Sequence, residues 1–353
     1  MRLLYQRYRR FRRYASLAKQ VVRLGLFAPL LSLFGTPTAD AQVITVDGDV
    51  SPLFTPGLTT WNIGDNLYVG QTTSGTLTIT RGGSATDSNG IIDNTSGSTA
   101  SVIVDGTAGG ATWTNSDGLF VGHEGSGELT LRNSGVATAD IALLGDQPTG
   151  HGTINIDAAA DDAPTTPGIL DTPAVVFGSG ISKFVFNHTS GESDDDYEFS
   201  PIISNAIADS TPGVHTSAHP GSSVDIYAGT TVLTTTGSNY DAPTNIHGGT
   251  LAAGNANVFS PNSHHTIHAA GTMDLRGHNQ TVADLTNAGT INMGTDTAPE
   301  TTLTITGNYV GDGGTIILNT QLGSDARTTI SALDGSNPTT LSSRMGGTWG
   351  QAA

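Results

Sequence analysis

The chain has 353 residues, of which 46 are glycine and 13% are charged. Glycine is about twice and charge about half as frequent as in average proteins, so the composition favours a folded, turn-rich β protein over a charged disordered chain. Removing residues 1–41 leaves six basic and 30 acidic residues, a net charge of −24. Such an acidic surface repels nucleic acid and anionic lipid, and it excludes nucleic-acid binding as a function class.

Residues 1–41 are predicted to be an export signal, a signal peptide, rather than part of the fold. A basic segment leads into the apolar run 24–34, and residues 39–41 (ADA) form an A-x-A site that predicts cleavage before Gln42. The apolar run has 11 residues, fewer than the ~20 that span a bilayer, and no later segment approaches that length. A basic amphipathic helix retained in the mature protein is the alternative. The lack of cysteine fits export, because free thiols can form mispaired disulfides in an oxidising compartment.

Residues 42–60 are a lead-in segment with one predicted strand followed by two prolines, and a repeat occupies residues 61–160. Residues 67–79 (LYVGQTTSGTLTI) return 52 positions later as residues 119–131 (LFVGHEGSGELTL). Apolar residues alternate with polar ones in each run, which indicates strands with one buried face. The chain is therefore predicted to be a repeat protein.

A shorter period lies within the 52-residue unit. Leu77 and Ile79 map onto Val102 and Val104 at an offset of 25, so each unit contains two coils. Short strands joined by glycine-rich corners at this period predict an all-β fold, a right-handed parallel β-helix (solenoid) of roughly 25-residue coils. A β-sandwich is the rival, since it also has short, evenly spaced strands. It gives no reason for the same residues to recur every 52 positions.

Residues 161–220 lose the repeat and are rich in proline and aspartate, so we expect an irregular insertion or an elaborated coil there. From residue 221 to 330 a Gly-Thr pair precedes each apolar alternation, at glycines 249, 271, 289 and 314. The spacings of 22, 18 and 25 are consistent with coils of variable corner length. Residues 331–353 are interpreted as a tail without a clear pattern.

Two stretches resemble a known family, the passenger domains of autotransporters (type V secretion). Residues 67–79, with Trp113-Thr114-Asn115-Ser116 before the next copy, resemble the repeat shared by type V secretion passengers and PEP-CTERM-associated proteins. Residues 248–263 and 275–285 resemble the autotransporter-associated strand repeat, and residues 301–309 continue a pertactin-like pattern.

This resemblance implies a parallel β-helix displayed outside a Gram-negative cell and delivered by a C-terminal outer-membrane β-barrel. Such a barrel needs about a dozen amphipathic strands of ~10 residues each, whereas about 23 residues follow Ile330. We therefore expect the barrel to be absent from this chain. The chain would then be a passenger fragment, the product of a truncated gene, or a protein with another export route, and it would be periplasmic if no barrel exists.

No sequence motif supports catalysis. The chain has no G-x-S-x-G motif, P-loop or dinucleotide fingerprint, and its many serines are interpreted as turn formers. Gly82-Gly83 and Gly109-Gly110 are predicted to be corners that need positive φ. We expect neither catalytic residues nor a cofactor.

The histidines of the second half are the candidates for a metal site. His264 and His268 would share one strand face with His265 opposite, and His247 and His278 could lie on neighbouring coils. No cysteine exists and no carboxylate is placed to complete a tetrahedral site. Solvated or stacked histidines are the favoured interpretation, and no metal ligand is predicted.

Two further groups are candidate binding residues. Asp194–Asp196 with Glu192 and Glu198 could hold calcium through oxygen ligands, but the spacing matches no known calcium loop and favours a solvated loop. Trp61 and Trp113 could stack on sugars. Their recurrence at the repeat offset of 52 favours packing in the core or at a corner.

The sequence thus predicts an exported, non-enzymatic β-helical passenger at the cell surface or outside the cell, whose function is adhesion to host or neighbouring cells through an unknown ligand. Specificity would lie in loops such as 161–220. The alternatives are a polysaccharide-acting enzyme built on the helix and a non-functional truncated fragment. Six basic residues after position 41 make a lyase difficult to build.

Overall fold

The computed structural model describes residues 43–190, 196–205, 217–294, 300–317, 327–334 and 337–343. The predicted signal peptide lies outside this range. The fold is all-β: about half of the chain is strand, and none of the described residues is helical. The sheets are long and mostly parallel, which is consistent with a β-helix or another solenoid.

The strands are short, and most have three to seven residues. The first nineteen are β1 (Ile44–Gly48), β2 (Val50–Ser51), β3 (Thr60–Asn62), β4 (Leu67–Val69), β5 (Gly75–Thr80), β6 (Ser84–Asp87), β7 (Gly90–Ile92), β8 (Thr99–Asp105), β9 (Thr112–Asn115), β10 (Gly118–Val121), β11 (Ser126–Arg132), β12 (Val136–Thr138), β13 (Ile141–Leu144), β14 (His151–Asp157), β15 (Ile169–Asp171), β16 (Ala174–Phe177), β17 (Ile181–Asn187), β18 (Tyr197–Phe199) and β19 (Ile202–Ser204). The others are β20 (Ser223–Ala228), β21 (Thr230–Leu233), β22 (Thr244–Ile246), β23 (Thr250–Ala253), β24 (His265–Ile267), β25 (Thr272–Asp274), β26 (Gln280–Val282), β27 (Leu285–Asn287), β28 (Thr290–Asn292), β29 (Glu300–Ile305), β30 (Tyr309–Gly311), β31 (Thr315–Ile317), β32 (Arg327–Asp334) and β33 (Asn337–Ser343).

These strands form five sheets. Sheet I has the order β1-β5-β8-β11-β14-β17-β20-β22-β24-β27-β30, sheet II is β19-β16-β13-β10-β7-β4-β2, and sheet III is β15-β12-β9-β6-β3. Sheet IV is β18-β21-β23-β25-β28-β31, and sheet V is β26-β29-β32-β33. Among the described strands, only the pairs β1–β5, β2–β4 and β32–β33 are antiparallel.

The chain visits the sheets in a regular cycle. From β5 to β17, consecutive strands enter sheets I, III and II and then return to sheet I beside the previous visit. Sheet III ends at β15, and sheet IV begins at β18. Each parallel neighbour is therefore separated along the chain by one complete cycle. Many strands bury one face: β8, for example, alternates between buried and accessible residues along its whole length.

The predicted repeat offsets are the offsets of strand pairing. Leu77 and Ile79 pair with Val102 and Val104, 25 residues on. In the second half, Thr250 pairs with Thr272, Thr272 with Thr290, and Thr290 with Thr315, which are the three spacings of the Gly-Thr pattern. Residues with the same place in the repeat thus lie one above another.

Buried side chains alternate between large and small from one cycle to the next. In sheet III the inward column is Trp61, Ala85, Trp113, Ala137 and Leu170. In sheet II it begins Leu67, Gly90, Leu119 and Ala142. A β-carbon added at Gly90 would collide with the Trp113 indole, so this indole occupies the space that the glycine leaves. The alternation explains why the sequence repeats every second coil.

The indole of Trp113 is also held by a buried carboxylate. Its Nε1–H donates to Asp87 Oδ2 at 2.6 Å, and Asp87 is almost fully buried. Burial raises the pKa of Asp87 to about 7, against the opposing effect of the bond from Trp113. Asn115 pairs with Asp87 in the next strand of sheet III, so an amide is accommodated at this place in the stack.

The described residues between 161 and 220 contribute to the sheets despite the loss of the sequence repeat. Strands β15 to β19 join sheets I to IV, which favours the elaborated coil over the irregular insertion. An aromatic core marks the change from sheet III to sheet IV: the ring of Phe199 lies 5.2 Å from those of Phe184 and Phe186. Large rings replace the aliphatic residues of the earlier coils. The sequence repeat is therefore no longer recognisable, although the strands still pair in the same way.

Two expectations from the sequence differ from the structure. Residues 331–353 were expected to be a patternless tail, whereas β32 pairs with β29 in parallel and with β33 in an antiparallel hairpin, so part of the tail extends sheet V. Gly82, Gly109 and Gly110 have positive φ as predicted, but Gly83 does not. Gly83 is needed for space, because a β-carbon there would lie 2.8 Å from Val43.

We predict that Gly90→Ala lowers the free energy of unfolding by about 1–3 kcal/mol, the usual cost of overpacking, because the new methyl meets the Trp113 indole. Urea unfolding measures it. The effect should shrink when Trp113→Phe is already present. Gly311→Ala, where the nearest atom is 3.5 Å from the new carbon, should not destabilise. Equal losses in both alanine variants would contradict the packing explanation.

We predict that Asp87→Asn stabilises the protein increasingly as pH rises. The pKa of Asp87 is about 7 when folded and near 3.8 when unfolded, so the wild type loses about 1.4 kcal/mol per pH unit between these values. The variant lacks this loss. Urea unfolding at about pH 5 and about pH 8 compares the two, with the exposed Asp117→Asn as control. An equal gain at both pH values would contradict the assignment.

Candidate functional site

The outer face of sheet I carries a groove of about 550 Å³ that crosses β5, β8, β11, β14 and β17. Its lining is mainly hydroxyl side chains, from Ser74, Thr76, Thr99, Ser101, Ser126 and Thr153. Glu128, His151 and Lys183 supply the ionisable groups, and Ile181 is the largest apolar residue among the lining residues. The volume is within the ~300–1,000 Å³ of small-molecule sites, but the lining is more polar than usual.

Strand alternation places these side chains outward. Leu77, Val102 and Leu129 are fully buried, and the residue before each of them, Thr76, Ser101 and Glu128, faces the groove. The register joins the outward residues in one row, here called the groove floor: Thr76, Ser101, Glu128, Thr153 and Lys183. Neighbouring members are about 4.8 Å apart, the spacing of paired strands.

Lys183 is the only lysine after residue 41. It is exposed at one end of the floor and forms no ion pair with any described residue. Glu128 is two strands away, about 10 Å by strand spacing, and its Oε1 accepts a hydrogen bond from Asn155 Nδ2 at 2.5 Å. The groove therefore presents separate positive and negative groups.

An ion pair holds the corner beside the groove. His123 Nδ1 lies 2.7 Å from Asp146 Oδ2, linking the corner after β10 to the corner after β13. The hydrogen bond that His123 donates to Asp146 raises the pKa of His123. Burial opposes ionisation of Asp146, but the hydrogen bonds from His123 and Gln147 and the charge of His123 together outweigh it and lower the pKa of Asp146. The pair fixes corners that precede the groove residues Ser126 and His151.

A second cluster lies farther along the outer face of sheet I. The Tyr227 and His247 rings are stacked with centroids 4.4 Å apart, and the His247 and His268 rings with centroids 4.6 Å apart. His247 Nε2 lies 3.2 Å from Asp225 Oδ1, which also accepts a hydrogen bond from Asn245. This stack follows from the register, since Tyr227 lies in β20 and His247 and His268 directly follow β22 and β24, the next two strands of sheet I.

The histidine positions agree with the strand faces predicted from the sequence. His265 is buried in β24, while His264 and His268 face outward, and His247 stacks on His268. His278 lies apart, in the turn between β25 and β26. In the described part of the chain, no group of three or more His, Cys, Asp or Glu residues is placed to hold a metal ion.

The other candidate residues are dispersed. Glu192, Asp194 and Asp195 lie outside the described residues, and Asp196 Oδ2 accepts a bond from Arg276 Nη2 at 2.6 Å. Glu198 is exposed on β18. Both Trp61 and Trp113 are buried, as favoured from their place in the repeat, and neither is available to a ligand.

Sequence reasoning missed the groove. The signal that could have found it is Lys183, which lies in β17 and is the only lysine after residue 41. The repeat offsets place Ser101 beside Glu128, but they end before β17. Only the pairing of β14 with β17 brings Lys183 beside Thr153.

No family model matches the chain, and no solved structure matches it. Over 231 residues the chain is 31% identical to an uncharacterized lipoprotein, YdeK, of Escherichia coli (strain K12). The matched region is 63% of this chain and 16% of that protein, so the chain spans a small part of its relative. Within the described residues, no helix is long and apolar enough to cross a membrane.

We predict that the buried His265 destabilises the fold in acid. Burial lowers the pKa of His265 to about 4. Between pH 6.5 and about 4 the unfolded chain therefore binds a proton that the folded chain does not, and the free energy of unfolding decreases as the pH is lowered. The loss is up to about 1.4 kcal/mol per pH unit. His265→Leu should flatten this part of the urea-unfolding pH profile, while the exposed His268→Leu should not. Identical profiles for His265→Leu and the wild type would contradict it.

Proposed function

We propose that the chain is an exported right-handed parallel β-helix of the autotransporter-passenger type, which displays a binding surface for adhesion to other cells. The observation that carries the proposal is the groove on sheet I, where outward side chains from five successive strands line one concave surface. A stacked fold suits this role because it presents long faces on which side chains from many coils act together.

The strand order supports the solenoid. A cycle that returns to sheet I every 25 to 30 residues from β5 to β17, with parallel pairing each time, is the arrangement that coils of a β-helix require. The antiparallel strands β1 and β2 cover the first parallel strands of sheets I and II. Terminal elements of this kind act as caps in stacked proteins.

Several observations support export. The basic segment, apolar run and A-x-A site of residues 1–41 are typical of a signal peptide. The relative is named a lipoprotein, which is compatible with passage through a membrane.

The groove favours binding over sugar hydrolysis. Most glycoside hydrolases use two carboxylates about 5–10 Å apart across the bond that breaks. Glu128 is the single carboxylate among the described residues that line the groove, and Asn155 holds one of its oxygens. A binding role requires no second carboxylate.

We predict that the full chain, fused at its C-terminus to an outer-membrane β-barrel and expressed in a Gram-negative host, is cleaved after Ala41 and reaches the cell surface. Mass spectrometry should find Gln42 as the new N-terminus. Ala41→Phe should block cleavage because signal peptidase needs a small residue there. Asp40→Ala, at the tolerant middle position of the same site, should leave cleavage intact.

Surface protease digestion of intact cells and adhesion of the expressing cells to cultured cells complete this test. The wild type should be digested and should increase adhesion over cells that carry the empty vector. A chain that stays uncleaved, or one that is displayed without increasing adhesion, would refute the proposed function.

A further inference from the structure

We propose that the groove on sheet I binds an oligosaccharide lengthwise, across successive strands, with a carboxylated sugar at the Lys183 end. The inference rests on the proposed binding function and specifies its ligand class. It is carried by three features of the groove: free hydrogen-bonding groups, their spacing, and the placement of one cation.

The side chains of the groove floor have hydrogen-bonding groups with no partner among the described residues. The side chains of Thr76, Ser101, Thr153 and Lys183 form no hydrogen bond with another described residue, although each is at least partly exposed. Glu128 uses Oε1 for Asn155, and its Oε2 has no protein partner in the described part of the chain. Hydroxyl, carboxylate and ammonium groups together provide the donors and acceptors that sugar hydroxyls need.

The spacing matches a polymer of sugar rings. Floor residues repeat at about 4.8 Å, the distance between paired strands, which is close to the length of one pyranose ring in an extended chain. Five floor residues therefore span four intervals, enough for about four sugars, each beside a polar side chain. The threonine methyls and Ile181 supply small apolar contacts for the ring faces.

The charges of Lys183 and Glu128 determine the orientation of the ligand in the groove. Lys183 is unpaired within the described residues and is the only lysine after residue 41. An ammonium group suits a carboxylate as a point charge. Glu128, two strands away, repels a carboxylate and accepts bonds from neutral hydroxyls. A ligand with its acidic sugar at Lys183 and neutral sugars beyond satisfies both groups.

Other polymers fit the groove less well. The net charge of −24 after residue 41 opposes nucleic acid. An extended peptide binds by adding to a free strand edge, whereas β8, β11 and β14 lie in the middle of sheet I with paired backbones. Ile181 is the one large apolar side chain in the lining, so a peptide would find few pockets for its side chains.

The test uses the full chain and immobilised linear oligosaccharides, graded from monosaccharide to hexasaccharide, each in a neutral and a uronate-terminated form. Wild-type affinity should rise with length up to about the tetrasaccharide and then level off, and the uronate forms should bind more tightly. Lys183→Gln should weaken the uronate forms at least roughly tenfold, since it removes a charged hydrogen bond, and should abolish the preference over neutral forms.

Two matched controls separate the groove from general effects. Arg81→Gln removes the same charge at an exposed corner outside the groove and should leave binding unchanged. Thr153→Val removes a hydroxyl from the middle of the floor and should weaken both forms roughly threefold to tenfold. Thr114→Val, on the outer face of sheet III, should have no effect.

Binding to no oligosaccharide, or equal losses in Lys183→Gln and Arg81→Gln, would overturn the inference. A chain that increases adhesion but binds no oligosaccharide would disprove the ligand class and leave the proposed function standing. Oligosaccharide binding without increased adhesion would leave the ligand class standing and disprove the proposed adhesion function. Length dependence without a uronate preference would disprove the role of Lys183.

Discussion

The structure depends on one constraint: equivalent strands pair in parallel, so each buried side chain must fit the side chain one cycle away. Paired strands are only about 4.8 Å apart, so each inward side chain contacts its counterparts in the cycles before and after it. Trp113 therefore lies between Ala85 and Ala137 and fills the space beside Gly90. The alternation of bulky and small cycles turns a structural period of about 25 into a sequence period of 52.

The same constraint shapes the later part of the core. Where the aliphatic column gives way to Phe184 and Phe186, sheet III ends and sheet IV begins, so a change in side-chain volume accompanies a change in the cycle. Farther on, polar residues enter the column. Thr244 Oγ1 lies 2.8 Å from both Tyr240 Oη and Ser263 Oγ, and this hydrogen bonding makes its burial tolerable.

Stacking also organises the outer face of sheet I. Because the inward residues hold the register, the outward residues form rows without contributing to the core. One row is the groove floor, with hydroxyl groups and two opposite charges, and another is the ring stack of Tyr227, His247 and His268. The inward residues thus fix the fold, while the outward residues can differ from coil to coil. This separation is expected of a protein that binds through the faces of its coils.

The sequence by itself determined the all-β class, the strand faces, and the pairing offsets of 25, 22, 18 and 25, because register acts between neighbouring coils and leaves identical residues at fixed intervals. It also placed His265 opposite His264 and His268. Only the tertiary structure decided which sheet each strand joins, that β15 to β19 continue the stack, and that β32 and β33 extend sheet V. It alone brought Lys183 beside Thr153. Those pairings depend on side-chain volume and corner geometry, so two strands can pair even where the sequence of the repeat is not retained.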